Sequence, residues 1–298
     1  MRVSVVTLLL AAVLLPAGAV RAEDAPYVGW TELLPGLTTE YRPSSENDCR
    51  AGRTRCIDAV IRQMRRRFDP LAASCDHDSI FALAYLRTTE EYRRTIEDPT
   101  FFNDIAFVNH EAVVFADYYF RAFDDWHAGR RQAVPQAWAT AFRAADERAV
   151  SASGNLSLGI SAHIQRDLPF VLAGIGLVEP DGTSRKKDHD RVNQFLNRVA
   201  DDLYAEIAAR FDPTIDDGDL PGEADNFAAF QVIPTWRETA WRNAELLATA
   251  ESPEARARVA ASIEAYAASQ AEAIRQATAY GPLQSSAARD AYCSTHHG

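Results

Sequence analysis

The chain predicts an all-α fold, and three observations carry that expectation. Apolar residues recur at three- and four-residue spacing along most of its length. No alternating apolar–polar run lasts more than a few residues, so strands find no support. Breaks rich in Pro, Gly and Asp cut the sequence into helix-length pieces, too short and scattered to be domain linkers. The expected architecture is a single-domain bundle of about eight helices, stabilised by disulfides.

Residues 1–22 read as a signal peptide. Arg2 supplies the positive start, Val3 to Leu15 the apolar stretch, and Val20-Arg21-Ala22 a cleavage site near Ala22, with Ala17-Gly18-Ala19 as the alternative. That stretch is shorter than the ~20 residues of a spanning helix. The expectation is therefore a secreted or cell-envelope protein without a transmembrane segment. Residues 23–50 mix Pro, Gly, Ser and charge without a period, as an irregular leader would.

An all-α domain is expected over residues 51–280, followed by a C-terminal tail over 281–298. Its first helix runs from Cys56 to Phe68 and stops at Asp69-Pro70. The second starts at Asp78 or Ser79 and ends near Asp98-Pro99, and the third runs from Thr100 to about Trp126. Pro135 opens a fourth, and a fifth spans Leu156 to Leu168, where Pro169 ends or kinks it. After the turn Glu179-Pro180-Asp181-Gly182, a sixth covers Asp188 to Arg210. Beyond an acidic break at residues 212–225, two helices run from Pro234 to Ala250 and from Pro253 to Tyr280.

A formal net charge of −11 argues against general attraction to nucleic acids or anionic membranes. The four cysteines, an even number in an exported chain, point to two disulfides. Of the three pairings we favour Cys49–Cys56 as a local loop and Cys75–Cys293 as a pin for the tail. Asp216-Asp217-Gly218-Asp219 lacks calcium-loop spacing and reads as a solvated loop.

Candidate chemistry begins in the third helix, where Asn103, His110, Asp117 and Asp124 recur every seven residues. A heptad drifts only ~20° from the helical repeat, so these residues share one stripe on a helix apolar nearly all round. His163 and Asp167, four apart, share a face with Gly159, whose size admits a neighbour. His189 and Asn193 repeat the spacing in the sixth helix, while Asp190 points outward. His77, His127, His296 and His297 look peripheral. Three helices thus present a histidine with an oxygen donor, a set that suits a divalent metal, zinc first. The expected ligands are His110, Asp117, His163, Asp167 and His189, with Asn103 and Asn193 behind them. Asp117 and Glu238 are the candidate catalytic bases, and Arg237 is placed to stack on Trp241.

The order VNHEAVVFADYYF, AHIQRDLPF, DHDRVNQFL and WRETAWRNAEL resembles a bacterial, largely actinobacterial family known only as a domain of unknown function. The resemblance covers roughly Cys56 to Ala250 and implies no activity. A more distant likeness is to the all-α zinc-dependent phospholipase C and single-strand nuclease fold, where an H-x3-D pair followed by proline bridges metals. His163, Asp167 and Pro169 match that element, His189-x3-Asn193 has asparagine where that fold has an acid, and His110 and Asp117 could serve from an earlier helix. A histidine closely following the pair is missing, as is a tryptophan at the cleavage site. The likeness therefore implies one or two metals rather than three. Asp188-His189-Asp190 also resembles the His-Asp of metal phosphohydrolases with a helical HD core.

The function expected is an exported metal-dependent hydrolase acting on small-molecule or lipid-type phosphoesters, with water activated on the metal. The alternative is a non-enzymatic helical binding or scaffold protein of the cell envelope, its polar seam a buried hydrogen-bond network. The sequence leaves the oligomeric state open.

Overall fold

The computed structural model describes residues 40–215 and 232–297. The expected signal peptide, most of the leader and the Asp216–Asp219 loop lie outside the described residues. Within them the chain is all-α, with no strand beyond two isolated bridges, Val150–Ala279 and Val178–Ser184.

Ten α-helices follow one another among the described residues: α1 Thr54–Ala73, α2 Ser79–Thr95, α3 Ile105–His127, α4 Gln136–Asp146, α5 Ala152–Ser161, α6 Leu168–Ile175, α7 Lys186–Arg210, α8 Val232–Ala248, α9 Pro253–Thr278 and α10 Ala287–His296. A π-helical segment, Ala162–Asp167, joins α5 to α6 without a break. Both disulfides form, Cys49–Cys56 and Cys75–Cys293.

Several boundaries differ from expectation for identifiable reasons. Pro70 lies inside α1, where Ser74 closes the last turn by donating its N–H and Oγ–H to the Pro70 carbonyl. Helix α3 begins at Ile105, not Thr100, because Asp104 caps it by accepting the Phe107 N–H at 2.9 Å. Asp188 does not cap its own helix. Its carboxylate instead accepts the N–H groups of Asn103 and Asp104 at 2.8 and 2.9 Å, fixing the entry to α3. The expected tail contains a helix, α10. Its Arg289 is buried against Asn155, and Asp290 accepts from His77, which is itself buried rather than peripheral.

Pro169 neither ends nor sharply stops its helix. A proline has no N–H for the carbonyl four residues back and crowds it sterically. The wider π turn lies immediately before it, over that carbonyl at Gln165. One extra residue in a turn also rotates everything beyond it by ~100°. Residues 161–172 are all buried, and the π segment packs against α3, α4, α8 and α9. It is the hub of the bundle.

Small residues let neighbours approach that hub. Gly159 accepts the ring of Phe81, and a Cβ there would sit 2.3 Å from Phe81 Cγ and 2.7 Å from Phe81 Cβ. Gly52, at φ +62°, passes so close to the Ala106 carbonyl that no side chain fits. Its own carbonyl accepts from Asn109, whose Oδ1 takes the Tyr92 hydroxyl. Gly159→Ala must push Phe81 away, so it is expected to cost about 1–3 kcal/mol of stability. Denaturant unfolding measures that loss, and an unchanged midpoint would contradict the packing described.

Candidate functional site

A cavity of about 140 Å³ lies between α1, α2, α3, α7, α8 and the π segment. Its walls are mostly apolar, with Phe81, Tyr85, Phe115, Val192 and Leu196 among them. Besides the phenols of Tyr85 and Tyr92, an imidazole, a carboxyl and a guanidinium interrupt that surface: His163 from the π segment, Glu111 from α3 and Arg237 from α8. The volume is close to the ~150 Å³ of an apolar cavity that stays dry and takes benzene. A compact body of that size fills it.

His163 is 3 % exposed and lies flat on Phe115, with ring centroids 3.5 Å apart and planes 4° from parallel. Tyr85 closes over it at 4.6 Å. Nδ1 is 3.0 Å from Asp167 Oδ2. A carboxylate only accepts, so the proton of the neutral ring sits on Nδ1 and the lone pair on Nε2. Nε2 is buried and has no hydrogen-bond partner. Burial pushes the His163 pKa down more strongly than Asp167 pushes it up, so the ring is held below its usual range. A neutral imidazole with an oriented Nδ1–H and a bare Nε2 is the arrangement of a general base.

Asp167 is fully buried and has three donors. Trp138 Nε1–H reaches Oδ2 at 2.8 Å beside His163, and Arg166 Nη1 reaches Oδ1 at 2.9 Å. Arg166 in turn donates twice to Glu264 Oε1 on α9, at 2.8 and 2.6 Å. Burial raises the Glu264 pKa, and Arg166 opposes the shift. The chain Glu264–Arg166–Asp167–His163 thus runs from the far side of the bundle to the cavity wall.

At another part of the wall, Arg237 Nη2 donates to the His189 carbonyl at 2.7 Å and lies 3.2 Å from His189 Nδ1. His189 Nε2 returns a bond to the Arg237 carbonyl at 3.2 Å, so both ring nitrogens are engaged. Glu111 is buried, and loss of solvent raises its pKa to about 7, with Arg237 pulling the other way.

The structure does not gather the sequence-predicted ligands. Only His163 and Asp167 touch each other. His110 faces the other way, its Nδ1–H on the Cys49 carbonyl at 2.9 Å with Tyr41 tilted against the ring. Asp117 is buried but does not line the cavity. Asn103 lies outside α3 and is exposed, accepting from Arg191. Asp124 pairs with Arg67 on the flank, and Asn193 is half-buried on α7. Glu238 faces solvent between Lys186 and Arg242, and the Lys186 hydrogen bond lowers its pKa, so it is a counter-ion rather than a base. Lys186, not Arg237, is the cation over Trp241.

The donor chemistry does not fit a metal at these five residues. Asp167 is committed to a guanidinium and an indole, and a metal at His189 would have to share it with the Arg237 cation. Among the described residues, the one cluster with ligand spacing is Cys75, Cys293 and His297. Its two sulfurs are joined in a disulfide, which leaves no thiolate to bind.

Sequence reasoning missed Arg166, Glu264, Glu111 and Trp138, and assigned Arg237 to Trp241 instead of the cavity wall. A signal was present: Glu264 falls in the buried stripe Ala260, Ile263, Ala267 and Ala271, and Arg237 in the stripe Ile233, Ala240, Trp241 and Ala244. A charge at a core position must find a partner.

A family model described as "Family of unknown function (DUF5995)" matches residues 57–277, most of the chain. No curated protein and no solved structure matches it.

Glu111 supplies a pH test of this geometry. Its folded-state pKa lies above its ordinary value of 4.5, so the folded protein keeps a proton that the unfolded chain releases between about pH 4.5 and about 7. Stability from this group is present at low pH and lost as pH rises through that window. Glu111→Gln mimics the protonated form. It is expected to match the parent near pH 4.5 and to be more stable by about 1–3 kcal/mol at pH 8. Parallel denaturation of both proteins across pH measures this, and a constant difference would contradict the assigned burial.

Proposed function

We propose that this chain, which belongs to the DUF5995 family of unknown function, takes a compact, mostly apolar molecule into the cavity and uses His163 as a general base upon it. The observation that carries the reading is the bare, buried Nε2 of a histidine whose other nitrogen is fixed by Asp167. Leaving such an atom without a partner costs about 1–3 kcal/mol. A ligand hydroxyl, or a water held beside the ligand, would satisfy it and be deprotonated by it. The hydrolytic expectation from sequence is kept in this form, with water activated by an imidazole instead of a metal. The disulfides and the lack of any described helix long and apolar enough to cross a membrane are compatible with the proposed export.

A second reading is favoured by the saturation of Asp167, whose three donors suit a network that fixes packing. In that case the protein binds the same ligand and returns it unchanged.

Compact apolar probes such as toluene are expected to bind and raise the melting temperature, by an amount equivalent to about 2.7 kcal/mol at a hundredfold excess over Kd. Ala112, half-buried on the cavity wall, gives the control: Ala112→Phe should fill the space and remove the shift. Absence of any shift with the parent protein would sink the cavity reading. If turnover of a cavity ligand is found, kcat/KM should rise with pH through a limb below pH 6.5, because the base is active when neutral and its pKa is depressed. His163→Gln should lower kcat by about 10²–10⁴-fold with little change in binding. A limb at or above pH 6.5, or an unaffected kcat, would favour the second reading.

A further inference from the structure

We infer that the Arg237 wall of the cavity is a carboxylate seat, so that the ligand is a small apolar acid, aromatic or branched, with its head on Arg237. This rests on the cavity reading above and names the chemical class of its ligand.

Arg237 is 4 % exposed and lines the cavity, and its Nε has no hydrogen-bond partner. The Nη2 donor is spent on His189, which fixes the guanidinium plane, while Nε stays without a partner. Glu111 and Asp190 are felt at a distance, yet among the described residues neither closes an ion pair with Arg237. Burial lowers the Arg237 pKa to about 10, as expected of a cation short of counter-charge. A buried cation in that condition is costly, and a ligand anion relieves it.

The charge count selects the head group. One guanidinium balances one monoanion while Glu111, whose pKa burial raises to about 7, keeps its proton. A phosphate ester carrying up to two charges would leave an excess buried among Phe115, Val192 and Leu196. The volume selects the body: about 140 Å³ suits one ring or a short branched chain. His163, whose Nε2 is orphaned, belongs to the same cavity wall, so a molecule seated by its carboxylate has its apolar body beside the His163 side chain.

The test compares benzoate with its neutral counterparts, benzyl alcohol and toluene, by calorimetric titration of the full chain. Charge-assisted hydrogen bonding is expected to make benzoate bind about tenfold or more tightly than benzyl alcohol. Arg237→Gln should erase that preference while leaving toluene binding within about twofold. Should this variant not fold, the comparison within the parent protein decides alone. Equal binding of benzoate and benzyl alcohol to the parent would overturn the seat while leaving the cavity reading intact. Failure of all three probes would overturn both.

Discussion

A buried guanidinium cannot stand alone, and the position of Arg166 imposes that constraint at the centre of this bundle. The side chain is 2 % exposed, so its charge has to be met by protein. Glu264 meets it from α9 and Asp167 from the next residue of the π segment. Those bonds place α9 against the hub, and the indole N–H of Trp138 does the same for α4. Replacing one member would strand a charge, which costs about 3–5 kcal/mol. The helices that carry Arg166, Asp167 and Glu264 therefore have one register in which these three charges answer one another.

The same constraint prepares the cavity. Asp167 spends one oxygen on Arg166 and shares the other between Trp138 and His163. Held from behind in this way, the His163 ring keeps its proton on Nδ1 and its lone pair toward the unsatisfied side. Packing on Phe115 and Tyr85 removes water from the ring and favours the neutral form. The polar network is thus structural on one side and chemically competent on the other. Arg237, tied to His189, repeats the pattern at another wall of the same space.

Much of the fold was legible in the sequence, and the reason is local. Helical periodicity, the Pro135 and Pro253 starts and the turn at Gly182 depend on residues close together in the chain. The pairing of Cys49 with Cys56 is equally local. Errors fell where distant residues decide. Asp188 was expected to open its own helix, but its carboxylate serves the entry to α3, 85 residues away. Pro169 signals a break in isolation, yet the π turn and complete burial carry the helix through it. At the site, the pair His163–Asp167 was read correctly as a pair, because four residues on one helix meet by geometry. Its partners could not be read that way, since Trp138, Arg166, Glu264 and Phe115 converge through tertiary packing alone. Three histidines on three helices suggested one centre. The fold turns His110 to the Cys49 loop and His189 to Arg237, and a heptad stripe gives no information about which neighbour it faces.

Nitrogen-15 chemical shifts of the His163 ring, followed through a pH titration, test the central claim most directly. The account predicts a neutral ring protonated on Nδ1, titrating below pH 6.5, with Asp167→Asn disturbing the tautomer. A ring protonated on Nε2, or one titrating at or above pH 6.5, would contradict it.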